Sequence, residues 1–128
     1  MAPPPARSSG PAGHPHPGPD LDRVIDAYLD HLRVERGLSA RTLEAYARDL
    51  ARFAGHCEAA GAPGAGAITA SVVSTHLVRL GKDGMGARSA ARHLSAIRGL
   101  CRFLVQEGHL EADPCALVDR PRLGRRRA

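Results

Sequence analysis

A basic segment in the second half of the chain combines arginine and serine side chains at helical spacing with a complete lack of acidic residues. Between Asp83 and Glu107 there are four arginines and no Asp or Glu. Arginine forms planar, bidentate contacts with phosphate and guanine, and serine hydroxyls bond to several base edges. These polar residues are Arg88, Ser89, Arg92, Ser95, Arg98 and Arg102. We favour a polyanionic partner, with an ordinary solvated basic face as the alternative.

The charge of the whole chain is consistent with that segment. The 128 residues include 18 Lys and Arg against 13 Asp and Glu, a formal net charge of +5. Residues 61–98 contain five cations and one anion, so most of the excess lies there. All the cations except Lys82 are arginines, which DNA recognition or a GC-rich genome would explain equally well.

Other chemistry has no matching pattern in the sequence. There is no Ser/His/Asp constellation, Gly-rich phosphate loop or HExxH motif, and the Cys and His residues lack metal-ligand spacing. His14 and His16 fit a solvated tail better than a metal site. Tyr28 and Tyr46 lie on apolar helical stripes, as core residues would. We expect no catalytic residue, cofactor, metal or small-molecule substrate.

Apolar spacing predicts four helices and no strand. The first follows Asp20 as N-cap and ends at Gly37; the second follows Ser39 and ends at Gly61. The third follows Thr69 and ends before the Gly-rich run 81–86, and the fourth runs from Ala87 to about Gly108. A short turn is expected over 116–118. His76 is expected as a satisfied histidine at the edge of the core, with Asp49 and His93 on polar faces.

The chain ends differ in composition from this helical region. Residues 1–20 hold seven of the ten prolines and no apolar run, which predicts a disordered head rather than a signal peptide or membrane segment. Residues 21–119 form the predicted domain, and 120–128 a basic linker or tail. Three widely spaced cysteines do not suggest a disulfide framework, so a reduced, cytoplasmic setting is expected.

Two blocks of sequence resemble a known family. Residues 37–50, GLSARTLEAYARDL, resemble a signature in the N-terminal core-binding domain of tyrosine site-specific recombinases. Residues 91–98, ARHLSAIR, resemble a run in the last long helix of that domain, and Asp113-Pro114 with 121–123 resemble its exit segment. The resemblance covers about residues 21–123. It is nearest to the Xer group, and phage integrases share the pattern more loosely.

The resemblance implies a compact four-helix orthogonal bundle of the SAM-like type that clamps duplex DNA at core sites. Its second and fourth helices would approach the major groove, and recombinase protomers in a synaptic tetramer would be its other partners, with no membrane involved. The catalytic residues of the family belong to a C-terminal domain outside this chain, so this chain is not expected to cleave DNA. The DNA-facing positions that the resemblance implies are Arg41, Thr42, Arg48, Arg88, Ser89, Arg92, Ser95 and Arg98.

Three positions depart from the family pattern, and two other hypotheses remain open. Ala47 replaces a usual basic residue, Cys101 a common aromatic, and Gly86 a usual Ser cap. The domain could instead be a protein-interaction module or a dominant-negative partner of a full-length recombinase. It could also be an unrelated bundle, which would be favoured if Arg88, Arg92 and the polar face of the second helix pointed to opposite sides.

Overall fold

A computed structural model describes residues 19–117, and these form an all-α bundle. Residues 1–18 of the predicted head and residues 118–128, which include the predicted tail and Val118, lie outside the described residues. The elements are α1 (Leu21–Glu35), α2 (Ala40–Ala59), α3 (Ala70–Lys82) and α4 (Ala87–Gln106), with a connecting turn (Ala65–Ala67) and a C-terminal turn (Pro114–Leu117), both 3-10. Residues 19–117 contain no strand, only one isolated bridge between Asp20 and Gly64. The predicted fold class is confirmed.

Two of the predicted helix caps are formed by side chains. The Ser39 hydroxyl accepts from the Thr42 N–H at 3.2 Å, and the Thr69 hydroxyl accepts from the Val72 N–H at 3.2 Å. Asp20 occupies the N-cap position of α1, but its side chain makes no cap hydrogen bond. Gly86 offers no side chain to cap α4, as expected. Ser39 and Thr69 therefore satisfy N–H groups that would otherwise have no partner in the helix.

The two glycine-rich connections differ from the predicted loops. Helix α3 continues through Gly81 to Lys82, so the predicted break there was wrong; the left-handed conformation is needed only at Gly84, with φ of 83°. The 61–66 segment buries Ala62, Gly64 and Ala65 and forms the connecting turn. The Ala65 N–H donates to the carbonyl of Pro19 at 3.0 Å, which fixes the start of α1 beside this turn.

The core is centred on α4, whose buried face meets the other three helices. Ile97, Leu100 and Leu104 are fully buried, together with Leu50 and Phe53 of α2. The buried face of α1 completes this cluster with Leu21, Val24, Ile25, Tyr28 and Leu32. All three cysteines are free and buried. No helix within the described part of the chain is long and apolar enough to cross a membrane.

A glycine in α4 allows α1 to approach closely. A Cβ at Gly99 would lie 1.9 Å from the hydroxyl oxygen of Tyr28 and 3.0 Å from its ring carbon Cζ. Tyr28 is 5% exposed, and burial raises its pKa to about 12. The ring also packs on Phe103, with centroids 5.4 Å apart. Tyr28 therefore belongs to the contact between α1 and α4, as its place on the apolar stripe predicted.

Adding a methyl group at Gly99 is expected to destabilise the domain. Gly99→Ala must displace the buried Tyr28 ring and should lower the free energy of unfolding by about 1–3 kcal/mol in urea denaturation. Gly55→Ala is the matched control, because Gly55 also lies inside a helix and has no atom near its Cβ position. That control should be neutral or stabilise by up to about 1 kcal/mol through helix propensity. Equal effects of the two substitutions would contradict this packing.

Candidate nucleic-acid interface

One buried carboxylate joins α2 to α4. Asp49 of α2 is 4% exposed, and its two carboxylate oxygens accept hydrogen bonds from Arg92 of α4, at 2.7 Å from Nε and 2.8 Å from Nη2. This planar, bidentate pair is the strongest geometry for such an ion pair. Hydrogen bonding to Asp49 raises the pKa of Arg92 above its usual value. Asp49 was predicted on a polar face; it is buried instead, because Arg92 neutralises its charge.

The same carboxylate holds a chain of buried histidines. His93 Nδ1 lies 3.2 Å from Asp49 Oδ1, and His93 Nε2 lies 2.8 Å from His76 Nε2 of α3. If His93 donates from Nδ1 to the carboxylate, its Nε2 must accept from His76. His76 Nδ1 then carries no proton and has no hydrogen-bond partner among the described residues. Burial lowers the pKa of both histidines, so both are neutral, and the chain links α2, α3 and α4.

The structure corrects two predictions about these histidines. His93 was expected on the outer face of α4 but is fully buried, because it continues the apolar row of Ile97 and Leu100 at spacings of four and seven residues. His76 is buried as expected, but only one of its ring nitrogens is satisfied. The spacing of His93 was a usable signal in the sequence. The pairing with Asp49 was not, since the two residues are 44 positions apart.

Most of the predicted DNA-facing residues lie near the Asp49–Arg92 pair, some on α4 and some on α2. Arg88, Ser89 and Ser95 lie within one helical turn of Arg92, and Arg48 precedes Asp49 directly. Arg41 lies two turns before Arg48 on the same side of α2. Arg92 therefore contacts the polar face of α2 directly. The two faces do not point to opposite sides, which is the arrangement that would have favoured an unrelated bundle. Among residues 19–117, Arg41, Arg48 and Arg88 are exposed and form no ion pair.

Two of the predicted residues are placed differently. The Thr42 hydroxyl is half-buried and accepts from the Ser39 hydroxyl at 3.1 Å, within the cap of α2. Arg98 is also half-buried and lies about 120° around α4 from Arg92, on the side of the C-terminal turn. There its positive charge helps to lower the pKa of Cys115, which is lowered first by a hydrogen bond with Cys101. Arg52, by contrast, is an exposed neighbour of this surface and pairs with Asp83 at 2.8 Å.

Comparisons with known proteins identify the family of this chain. Residues 25–108 match the family described as phage integrase, N-terminal SAM-like domain. The chain belongs to this family. It represents the N-terminal domain of tyrosine recombinases, and the predicted resemblance is confirmed.

Three curated relatives cover most of this chain. Tyrosine recombinase XerC of Azotobacter vinelandii is 45% identical over 102 residues, which are 80% of this chain and 34% of the relative. XerC of Pseudomonas putida is 40% identical over 106 residues, 83% of this chain and 36% of the relative. XerD of Mycobacterium tuberculosis is 41% identical over 109 residues, which are 80% of this chain and 35% of the relative. The chain thus spans about a third of these relatives' length. No solved structure matches it.

Removing the charge of Asp49 is expected to weaken the contact between α2 and α4. Asp49→Asn replaces an acceptor oxygen by an amide donor and leaves Arg92 without its counter-charge. The free energy of unfolding should fall by about 1–3 kcal/mol in urea denaturation. The control is Asp30→Asn, which breaks the exposed pair of Asp30 with Arg33 and should cost at most about 0.5 kcal/mol. Similar losses in both variants would contradict a structural role for Asp49.

The buried histidines predict loss of stability in mild acid. Burial, together with the neighbouring His93 and His56 and the positive charges of Arg52 and Arg79, lowers the pKa of His76 to about 3. In the unfolded chain a histidine titrates near pH 6.5. Below that pH the unfolded state binds a proton that the folded state does not, so stability falls as pH drops from about 6.5 towards 3. The slope is up to about 1.4 kcal/mol per pH unit for each such histidine.

Urea denaturation at about pH 7 and about pH 5 measures this slope. His76→Gln keeps a donor for His93 Nε2 but cannot be protonated, so its stability should depend less on pH than that of the unsubstituted chain. His109→Gln alters a half-buried histidine outside the network and should leave the slope unchanged. A slope unaffected by His76→Gln would show that the acid sensitivity arises elsewhere.

Proposed function

We propose that this domain binds duplex DNA at core sites, as the N-terminal clamp domain of a Xer-like tyrosine recombinase, and does not itself cleave DNA. Membership of the recombinase family supports the class of function. The geometry of Arg92 is the single observation that carries the DNA contact, because it combines a fixed guanidinium with free hydrogen-bond donors. Because its proposed ligand is chromosomal DNA, we also propose that the domain acts in the cytoplasm.

Arg92 is positioned to bind an anion without first being ordered. A guanidinium has five N–H donors, and Asp49 uses one on Nε and one on Nη2. The remaining donors include both on Nη1, and the side chain is 39% exposed. A side chain already held in place loses less conformational freedom on binding. Arg92 can therefore bind a phosphate or a guanine edge while it stays bonded to Asp49.

The charges around Arg92 favour a phosphate backbone as the ligand. Arg48 and Arg88 lie close to the pair and form no ion pair among the described residues. Helix α4 contributes no acidic residue between Asp83 and Glu107. The major groove of DNA is about 12 Å wide and admits one α-helix, so α4 would enter it while the basic edge of α2 contacts the phosphates beside it. Phosphate contacts from Arg41, Arg48, Arg88 and Arg92 would orient α4 so that Ser89 and Ser95 approach base edges.

We further propose the extent of the domain and its assembly. Residues 21–119 would form the DNA-binding unit, preceded by a proline-rich head whose last residues, Pro19 and Asp20, contact the connecting turn, and followed by 120–128 as a basic linker or tail. The family match over 25–108 falls inside this unit. In a complete recombinase a second domain would hold the opposite face of the DNA. Other protomers would join the assembly that pairs two sites.

Salt dependence of DNA binding tests this function. Fluorescence anisotropy with a mixed-sequence duplex should show log K falling with log salt with a slope of about −3.6, from four phosphate contacts. Arg88→Ala should weaken binding and reduce the magnitude of the slope by about 0.9. The control is Arg23→Ala, since Arg23 is an exposed arginine on the acidic helix α1.

Three outcomes would contradict the proposal. They are no binding at low salt, an affinity independent of salt, and equal effects of Arg88→Ala and Arg23→Ala. Arg88 is preferred to Arg92 for this test because Arg92→Ala would also leave Asp49 buried and unpaired, which confuses folding with binding. Circular dichroism of each variant shows that the helices remain.

A further inference from the structure

Two cysteines and an aspartate meet between α4 and the C-terminal turn, away from the Asp49–Arg92 pair. We propose that Cys101, Asp113 and Cys115 form a binding site for a divalent metal ion of the zinc class. The site does not depend on the DNA-binding proposal. Sequence spacing did not predict it, because the ligands are separated by eleven residues and then one. The fold brings them together where the chain turns back beside α4.

The distances fit tetrahedral coordination. The ligand atoms of the three residues lie within 4.8 Å of one another, and the two Sγ atoms are 3.6 Å apart. Zinc–sulfur bonds of about 2.3 Å in a tetrahedron place two sulfur atoms about 3.8 Å apart. A disulfide needs about 2.05 Å between the sulfur atoms, so the two Sγ atoms would have to approach each other by about 1.5 Å to form one. The observed separation is that of two thiols in hydrogen-bond contact, and it lies within about 0.2 Å of the separation that a shared zinc ion needs.

The surroundings hold the ligands in place. Cys101 is fully buried on α4, and Cys115 is 2% exposed on the C-terminal turn. Asp113 Oδ1 accepts from the Cys115 N–H at 2.8 Å, which orients the carboxylate beside the thiols. Asp113 is itself only half-buried, so its side of the cluster is open to solvent. A metal ion could enter there and keep a water molecule as its fourth ligand.

The charge around the cluster also suits a bound cation. Two thiolates and a carboxylate carry three negative charges, and a divalent ion leaves one of them. Arg98 and Arg102 lie close enough to act electrostatically on Cys115 and can offset that charge. A bound ion would then tie the C-terminal turn to α4.

Cobalt is the probe that tests this site, because thiolate ligands give Co²⁺ a characteristic charge-transfer absorption. The full chain, reduced with a phosphine, should bind one Co²⁺ with that absorption, and Zn²⁺ should displace it. Zinc at about a hundred times its dissociation constant should raise Tm by about 10 °C. Cys115→Ser should abolish the absorption, and Asp113→Asn, which preserves an acceptor for the Cys115 N–H, should weaken binding about tenfold or more.

Cys57→Ser is the matched control, since Cys57 is equally buried but lies outside the cluster; it should retain the absorption. If a cysteine variant fails to fold, protection of the unsubstituted chain's thiols from a maleimide by Zn²⁺ gives a second measurement. No thiolate absorption in the reduced chain would overturn the proposal. So would binding that Cys115→Ser leaves intact, or a Cys101–Cys115 disulfide in air with no metal bound after reduction.

Discussion

The carboxylate of Asp49 is the interaction on which the rest of the domain depends. An ionised carboxylate is costly to remove from water, and this one is compensated by two charge-assisted bonds from Arg92 and one from His93. Through His93 it also orients His76, so three helices meet at one negative charge. The apolar core sets which faces pack, and this carboxylate fixes how α2 and α4 are aligned within it.

The same pairing determines how much positive charge the surface can offer. Asp49 neutralises the net charge of Arg92 but leaves some of its donors free, and Asp83 neutralises Arg52. The basic character of the α2–α4 edge therefore comes mainly from arginines that have no such partner. An excess of arginine would also follow from genome composition, but composition does not explain why the unpartnered ones lie beside a fixed Arg92.

The helices of the fold could be predicted from the sequence. Apolar spacing predicted the four helices, and local chemistry predicted the caps at Ser39 and Thr69, because each depends on residues a few positions apart. The buried network could not be predicted in the same way. Asp49 and Arg92 are 43 residues apart, and the periodicity of one helix carries no information about a partner on another. The meeting of Cys101 with Cys115 was missed for the same reason.

The contact of Tyr28 with Gly99 divides α4 into two parts with different tasks. From Gly99 to Phe103 the row that continues from Arg88 and Arg92 is covered by α1, so on this one side of the helix only the stretch within residues 87–98 is open. Twelve residues of helix are about 18 Å long, the length of about five base pairs. For the DNA contact proposed above, the packing of Tyr28 on Gly99 would limit the part of α4 that reaches duplex to about half a turn, and a longer recognition site would be covered by other parts of the assembly.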